Sequence, residues 1–417
     1  MLIVSLSCFV IVTAVSYWLR YLNLRYLKNH GSIVPPEFEG SIDPEHLKKI
    51  SDYTYENNRA GIIESIVSNF ILLLFLFGGL LGVYDRWIIS LTGSFIWGGV
   101  LYFLLLMFAQ TVIDVPFSLY RHFRIENRYE FNTMTGKLWF FDLVKSIMIA
   151  SVLGTIVIAA SLVIIQSNTV WWWLWVWVFL LVFGIFVMYI SPYIIEPLFF
   201  KFEPLKVEGL EERIRALLEK AGLVVSRVFQ VDASRRSRHS NAYFTGIGRV
   251  KRIVLFDTLI EQMNQEEVLA VLAHEVGHWK KRHVLKRLIL TESMAFTGLF
   301  AAYHLLSWSR LPEVIGLADA SFYGRVVILG FIASIASFPF TPFFSFLSRR
   351  DERAADRFAS ELTGSPESMA SALVKLSREN LSNLHPHPLY VKFYYSHPPV
   401  VERIRTLRKS DNQQLDR

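Results

Sequence analysis

The string His274-Glu275-Val276-Gly277-His278 carries two imidazoles four residues apart, within a segment that predicts a helix. Residues at positions i and i+4 project from one helix face, so both imidazoles can reach the same metal ion. This spacing is typical of a catalytic zinc site, in which the intervening glutamate takes a proton from a water molecule at the metal. The alternative is that both histidines are ordinary surface residues of a basic helix.

A catalytic zinc ion needs a third protein ligand and one open position. Cys8 is the single cysteine, so any metal must be held by His, Asp or Glu side chains. Glu352 and Asp356 stand at i and i+4 in a second predicted helix and would share one face. We expect Glu352 to bind the metal and Asp356 to orient a ligand histidine, although the same pattern also fits a solvated charged face.

The composition is that of a membrane protein. Of the 417 residues, 53% are hydrophobic and 19% are charged, which excludes a disordered or fibrous chain. The mean hydropathy of +0.35 is too high for an ordinary aqueous surface. The first apolar segment lacks a basic start and a small-residue cleavage site, so a retained helix is favoured over a signal peptide. Seven segments are long and apolar enough to cross a bilayer: 2–19, 62–84, 95–117, 146–166, 170–194, 288–308 and 326–347.

Basic residues are distributed unequally between the two sides of these spans. Of the 43 Lys and Arg residues, 40 lie in four segments, which are 20–61, 118–145, 196–287 and 348–417. Because basic loops stay on the cytoplasmic side, the pattern predicts an N-terminus outside and a C-terminus inside the cell. We attribute the net charge of +7 to this topology and expect no nucleic acid partner.

The same topology predicts that the chain is divided into four segments. Residues 1–195 would form membrane helices 1–5 with their loops, and residues 288–347 membrane helices 6 and 7. Residues 196–287 and 348–417 would assemble on the cytoplasmic face into one small α+β domain that includes the HExxH helix. The fold class is therefore an all-α membrane protein with a small soluble domain.

The cytoplasmic domain would place the candidate metal ligands close together. The string SNAYFTG (240–246) predicts a short strand, and Asn264 with Glu267 predicts a capping box at the start of the HExxH helix. If that helix runs on into the span starting at Leu288, His278 lies ten residues, or about 15 Å, from the membrane. Sequential spans joined by a short loop are antiparallel neighbours, so the helix that carries Glu352 would emerge beside His278.

Several strings resemble the type I CAAX prenyl protease family of integral-membrane zinc metallopeptidases. The resemblance runs from about residue 110 to 405 and implies seven membrane helices that enclose a water-filled chamber, with the zinc site facing it. The matching strings are FRIENRYEFNTMT (123–135), EPLFFKFEPL (196–205), HSNAYFTGIGRVKRIVLFDTLI (239–260), HEVGHWK (274–280), ERAADRFA (352–359) and YSHPPVVERI (395–404).

The resemblance also implies roles for individual residues at the metal. It assigns one Zn²⁺ per chain to His274, His278 and Glu352, and the general base to Glu275. Each of these assignments agrees with what the residue types and spacing predict.

Further roles rest on the resemblance alone. Asp356 matches an acidic residue that supports the ligands and is sometimes described as a proton donor, Asn241 matches an asparagine that contacts substrate backbone, and His397 matches a histidine that stabilises the transition state. One departure is EFN at 130–132, where the family usually has Gly-Phe-Asn.

The sequence thus predicts a zinc endopeptidase that is itself embedded in membrane lipids. Its substrates would be membrane-associated peptides or proteins, which could carry an attached lipid. Two alternatives remain: a heat-shock-type membrane metalloprotease, and a non-catalytic chamber that binds lipid or peptide. A binding chamber would have no need of Glu275. The absence of a C-terminal dilysine or KDEL-type signal favours a bacterial inner membrane and a bacterial homologue.

Overall fold

The structure is a computed structural model that describes residues 1–245 and 250–415. The helices are α1 Leu2–His30, α2 Pro44–Phe77, α3 Leu80–Leu91, α4 Phe95–Tyr120, α5 Gly136–Ser167, α6 Trp172–Ile194, α7 Leu210–Lys220, α8 Asp257–Gln262, α9 Gln265–Lys280, α10 His283–Leu306, α11 Phe322–Ser337, α12 Thr341–Thr363, α13 Pro366–Glu379, α14 Pro388–Tyr394 and α15 Val400–Leu415. The strands are β1 Phe202–Pro204, β2 Val224–Val231, β3 Ala242–Thr245 and β4 Val250–Phe256.

Within the described residues, seven helical stretches are long and apolar enough to cross a membrane, and each overlaps one predicted span. The prediction of a multi-pass membrane protein is therefore confirmed. The stretches are Leu2–His30, Pro44–Phe77, Phe95–Glu126, Gly136–Ser167, Trp172–Leu198, His283–Leu306 and Phe322–Thr363.

One predicted span boundary is wrong, and one assumed helix continuation is absent. The span expected over 62–84 ends at Phe77, because Gly78 and Gly79 follow and Gly79 has a φ of 79° that few other residues adopt. The HExxH helix does not run on into the next span, because α9 ends at Lys280 and a new helix begins at His283.

The membrane helices pack loosely on one another. In the most apolar window of each span, only 0% to 22% of the residues are buried inside the protein. Most residues of these windows therefore face either lipid or the space between the helices. Polar pairs also lie within spans, such as the ion pair between Glu64 of α2 and Arg121 at the end of α4.

The small sheet has strand order β1-β2-β4-β3, in which β2 and β4 are parallel and the two outer pairs are antiparallel. Strand β3 pairs with β4 through registers such as Ala242 with Leu255 and leaves its other side without a strand partner among the described residues. One core joins this sheet to α7, α9 and α12 through residues such as Ile214, Leu272 and Ala359.

A second core joins the segments 196–287 and 348–417 to two loops from the first 135 residues of the chain. Phe38 and Phe131 from those loops pack with Ala270 of α9, Leu373 of α13 and Ile404 of α15. The soluble unit therefore includes residues outside 196–287 and 348–417. The four-segment division of the chain remains a prediction.

Candidate metal centre

Helix α9 is anchored at its start by the predicted capping box. The Asn264 side chain accepts a hydrogen bond from the Glu267 backbone, and the Glu267 carboxylate accepts one from the Asn264 backbone. Glu267 also accepts hydrogen bonds from Ser371 and Lys375 of α13, although its side chain is only 3% exposed. These contacts fix the helix that carries both candidate histidine ligands.

A glycine brings α9 close to α12. A side chain at Gly277 would lie 3.0 Å from the Cα atom of Ala355, closer than packed side chains normally approach. The absence of a side chain here, with the small Ala355 opposite, lets the two helices touch backbone to backbone. Glu352 and Asp356 of α12 are thereby placed against His274 and His278.

Three side chains converge as the sequence predicts. The Nε2 atoms of His274 and His278 are 3.1 Å apart; His274 Nε2 lies 3.3 Å from Glu352 Oε2, and His278 Nε2 lies 3.3 Å from Glu352 Oε1. Ligand atoms bound about 2.0 to 2.1 Å from a tetrahedral zinc ion lie about 3.3 Å from one another, so each of these separations suits zinc, and the three side chains form a triangle around the space for one ion. The Oε2 atom of Glu352 is buried and makes no hydrogen bond, which also fits a ligand atom that faces a cation.

The other ring nitrogen of His274 faces Asp356. The distance from His274 Nδ1 to Asp356 Oδ1 is 2.8 Å, and Arg403 of α15 binds the same carboxylate. Burial by itself would lower the pKa of His274, but its contacts with Asp356 and Glu352 outweigh burial and raise that pKa to about 9. The pocket therefore stabilises a positive charge, which a metal ion supplies when it replaces the proton.

Glu275 lies on the same helix between the two histidines and is partly buried. No hydrogen bond joins its carboxylate to any other described residue. Burial raises the pKa of Glu275 above its ordinary value, and the nearby His274 and His278 oppose that shift only in part. A carboxylate with a raised pKa is suited to accept a proton near neutral pH.

His397 reaches the same cluster from the segment before α15. Its Nε2 atom lies 3.3 Å from Glu352 Oε1, and its Nδ1 atom lies 2.8 Å from the Ser396 hydroxyl. Its side chain is 58% exposed, so it borders the open side of the cluster. The structure therefore places His397 where it can reach a group bound at the metal.

Asn241 is not in contact with the metal cluster. It is exposed and stands directly before β3, where its side-chain oxygen accepts a hydrogen bond from the Ala242 backbone. A cavity of about 540 Å³ runs between this end of β3 and the cluster, and both Ser240 and His397 line it. Asn241 itself does not line this cavity but directly follows Ser240, which does.

Two residues at this site had no predicted role in it. Arg403 is one of many basic residues in the C-terminal helix, and nothing in its spacing distinguishes it from the others. His283 lies beyond the HExxH motif, and the break between α9 and α10 leaves it buried against His278. The presence of a third histidine five residues after His278 was the one sequence feature that could have indicated this contact.

Comparison with known proteins identifies the family. Residues 23–201 match the CAAX prenyl protease N-terminal region with five membrane helices, and residues 204–411 match peptidase family M48. CAAX prenyl protease 1 of Saccharomyces cerevisiae is 32% identical over 93% of this chain and 91% of its own length. A CAAX prenyl protease 1 homolog of Oryza sativa is 38% identical over 74% of this chain and 72% of its own.

A solved structure agrees with these sequence matches. The crystal structure of Ste24p from S. mikatae superposes with a TM-score of 0.90 at 30% identity, covering 97% of this chain and 98% of that one. The predicted fold class and the predicted metalloendopeptidase activity are thereby confirmed, and the heat-shock-type alternative is not favoured. This chain belongs to the CAAX prenyl protease 1 family of M48 membrane metallopeptidases.

Proposed function

We propose that this protein is a zinc-dependent endopeptidase that removes the C-terminal residues of prenylated proteins ending in a CAAX sequence. The observation that carries this proposal is the convergence of the His274, His278 and Glu352 side chains, each of which offers one ligand atom within 4.8 Å of the other two. The substrate class is taken from the names of the relatives, which are CAAX prenyl proteases.

His274, His278 and Glu352 would hold the zinc ion, and Asp356 would fix the orientation of His274. When bound, zinc supplies a Lewis acid that polarises the scissile carbonyl group and acidifies water. Glu275 accepts the proton of the attacking water, for which its burial and raised pKa suit it. His397 donates a hydrogen bond from Nε2 to the carbonyl oxygen as negative charge develops there.

Substrate would bind along β3. The free side of this strand can pair with an extended peptide, whose backbone then forms the hydrogen bonds of an added strand. Asn241 at the start of β3 would contact a peptide group of that substrate. Backbone pairing holds the chain in place without demanding a particular sequence, and the cavity lined by Ser240 and His397 would accept the substrate beside the metal.

The cytoplasmic face would carry the site. Basic residues concentrate in the loops on the side of the soluble unit, which supports an N-terminus outside and a C-terminus inside. Placement in a bacterial inner membrane remains a prediction. A prenyl group on the substrate would remain near the bilayer while the peptide reaches β3.

Purified protein in detergent should cleave a fluorogenic farnesylated peptide that ends in a CAAX sequence. Chelation of metal should abolish cleavage, and added Zn²⁺ should restore it. Glu275→Gln should lower turnover by about 10² to 10⁴, because the base is lost. Glu266→Gln, an exposed change on the same helix, is the matched control and should leave turnover unchanged.

Full activity after chelation, or in Glu275→Gln, would exclude the proposed chemistry. An unprenylated peptide of the same sequence tests the substrate class separately. Equal cleavage of both peptides would leave the protease assignment intact and remove the lipid requirement.

A further inference from the structure

His283 is buried beside the metal cluster, and the mechanism above gives it no role. It is the first residue of α10 and is only 4% exposed. The preceding Arg282 has a φ of 57°, in the left-handed region, so the backbone turns sharply between α9 and α10. This turn brings the His283 ring against α9 instead of carrying it away along a continuous helix.

The ring contacts one candidate zinc ligand directly. The Nδ1 atoms of His283 and His278 are 3.1 Å apart, and the two ring planes are inclined by 76°. On its other side, His283 Nε2 lies 3.7 Å from an oxygen of Asp351, which neighbours Glu352 in α12. His283 therefore lies between a ligand histidine and a carboxylate.

Zinc coordination would fix where the protons in this chain lie. A histidine that binds zinc through Nε2 is neutral and carries its proton on Nδ1. The Nδ1–H group of His278 must then donate to Nδ1 of His283, which is left with its own proton on Nε2. The Nε2–H group is 3.7 Å from the Asp351 carboxylate, which is too long for a hydrogen bond but close enough for the negative charge to favour a proton on Nε2.

We propose that His283, which lies beside Asp351, is a positioning residue that orients His278 for zinc binding. This inference rests on the proposed role of His278 as a zinc ligand. It makes the site symmetric: Asp356 holds the Nδ1 atom of His274, and His283 holds the Nδ1 atom of His278. Among the described residues, no other group contacts His278 Nδ1.

The obvious alternative is that His283 only fills space at the helix junction. Two substitutions separate these roles, because Asn keeps an oxygen acceptor near the position of Nδ1 whereas Phe keeps the ring shape without an acceptor. His304→Phe is the matched control, since this histidine is exposed on the same helix, 21 residues or about 30 Å away.

The measurement is zinc affinity of the purified full-length protein, by competition with a chromogenic chelator. His283→Phe should bind zinc about 10- to 100-fold more weakly than the parent, and His283→Asn should recover most of that loss. Asp351→Asn should weaken binding less than His283→Phe. The ligand-field spectrum of Co²⁺-substituted protein should change in His283→Phe and stay unchanged in His304→Phe.

Unaltered zinc affinity in a folded His283→Phe protein would overturn the proposal, as would a His283→Asn protein that binds as weakly as His283→Phe. If the Phe variant does not fold, His283→Gln replaces it. The longer Gln side chain carries its carbonyl oxygen past the position of Nδ1, so this variant lacks a correctly placed acceptor. Equal zinc affinity of the Gln and Asn variants would then overturn the proposal. His274→Ala in the same assay tests the zinc site itself. Parent-like zinc affinity in His274→Ala would exclude the zinc site. Loss of zinc affinity in His274→Ala together with parent-like affinity in His283→Phe would exclude only the positioning role of His283.

Discussion

The guanidinium group of Arg403 binds both oxygens of the Asp356 carboxylate, with distances of 2.8 Å from Nε to Oδ2 and 2.6 Å from Nη2 to Oδ1. Both side chains are at most 10% exposed, so this is a buried, two-pronged ion pair. Because Asp356 also faces His274, the pair connects the C-terminal helix α15 to the metal cluster on α9. The last helix of the chain therefore helps to set the geometry of the site.

Arg403→Ala should destabilise the protein and loosen His274. It leaves the Asp356 carboxylate buried without a counter-charge, which costs about 3 to 5 kcal/mol in comparable buried pairs. Thermal unfolding in detergent and zinc content of the surviving folded protein provide the check. Arg408→Ala is the control, because Arg408 lies on the same helix and its ion pair with Glu367 is exposed at both ends, 40% and 50%. This change should cost less than about 1 kcal/mol. Equal effects of the two changes would contradict the role of Arg403.

The proposed ligands and the proposed base should respond differently to substitution. His274→Ala and Glu352→Ala each remove a donor atom from the triangle and should lose zinc, as measured by metal analysis of purified protein. Glu275→Gln should retain full zinc because it leaves the triangle intact. Zinc loss in Glu275→Gln, or full occupancy in both alanine variants, would show that the roles are assigned wrongly.

His397→Ala should lower turnover while zinc content and substrate affinity stay near the parent values. Its Nε2 atom borders the metal cluster and would donate to the developing oxyanion, and loss of one such donor typically lowers turnover by about 10² to 10³. The alternative is that the His397-Pro398-Pro399 string is only a rigid turn before α15. Steady-state kinetics of the zinc-loaded variant decide between these roles, since a purely structural turn would leave turnover unchanged.

The buried Glu267 carboxylate should make stability depend on pH. Burial would raise the pKa of Glu267, but the hydrogen bonds from Lys375, Ser371 and the Asn264 backbone outweigh it and lower that pKa. A lowered pKa in the folded state means that the carboxylate stabilises the protein above its unfolded pKa of about 4.3, and that this stabilisation is lost as pH falls further.

Glu267→Gln should therefore lower the unfolding temperature at pH 7, with a cost of about 1 to 3 kcal/mol, and the difference from the parent should shrink below about pH 4.3. Thermal unfolding across this pH range tests the sign. Glu266→Gln provides the comparison, because the Glu266 side chain is 63% exposed and should show a small difference at every pH. A gap between parent and Glu267→Gln that widens in acid would contradict the argument.

Glu130 is the position at which the sequence departs from the glycine that is usual in the family, and its φ is 66°. This left-handed conformation costs most residues about 1 kcal/mol or more, whereas glycine adopts it freely. Glu130→Gly should therefore stabilise the protein by about 0.5 to 1 kcal/mol, even though it removes an exposed ion pair with Lys49. Glu130→Ala removes the same ion pair and keeps the strain, so its unfolding temperature should not rise; a rise equal to that of the glycine variant would exclude backbone strain as the cause.

Local patterns in the sequence were sufficient for much of this protein. Spacing alone predicts that His274 and His278 share a helix face, because an α-helix returns to the same side every 3.6 residues. The capping box of Asn264 and Glu267 and the seven apolar spans are equally local signals, and the structure contains all of them. The pairing of α9 with α12 was also predictable, since sequential antiparallel spans bring Glu352 beside His278.

Contacts between distant parts of the chain were decided only by the tertiary structure. Arg403 reaches Asp356 because α15 contacts α12, and no periodicity within α15 marks that one arginine among the basic residues around it. His283 lies beside His278 because one residue, Arg282, adopts a left-handed backbone conformation. The sequence has a helical pattern both before and after Arg282, so it does not reveal this break. A repeat in the sequence predicts which residues share a face of one element, whereas the partner of a buried polar group depends on how several elements pack together, and that packing depends on contacts from the whole chain.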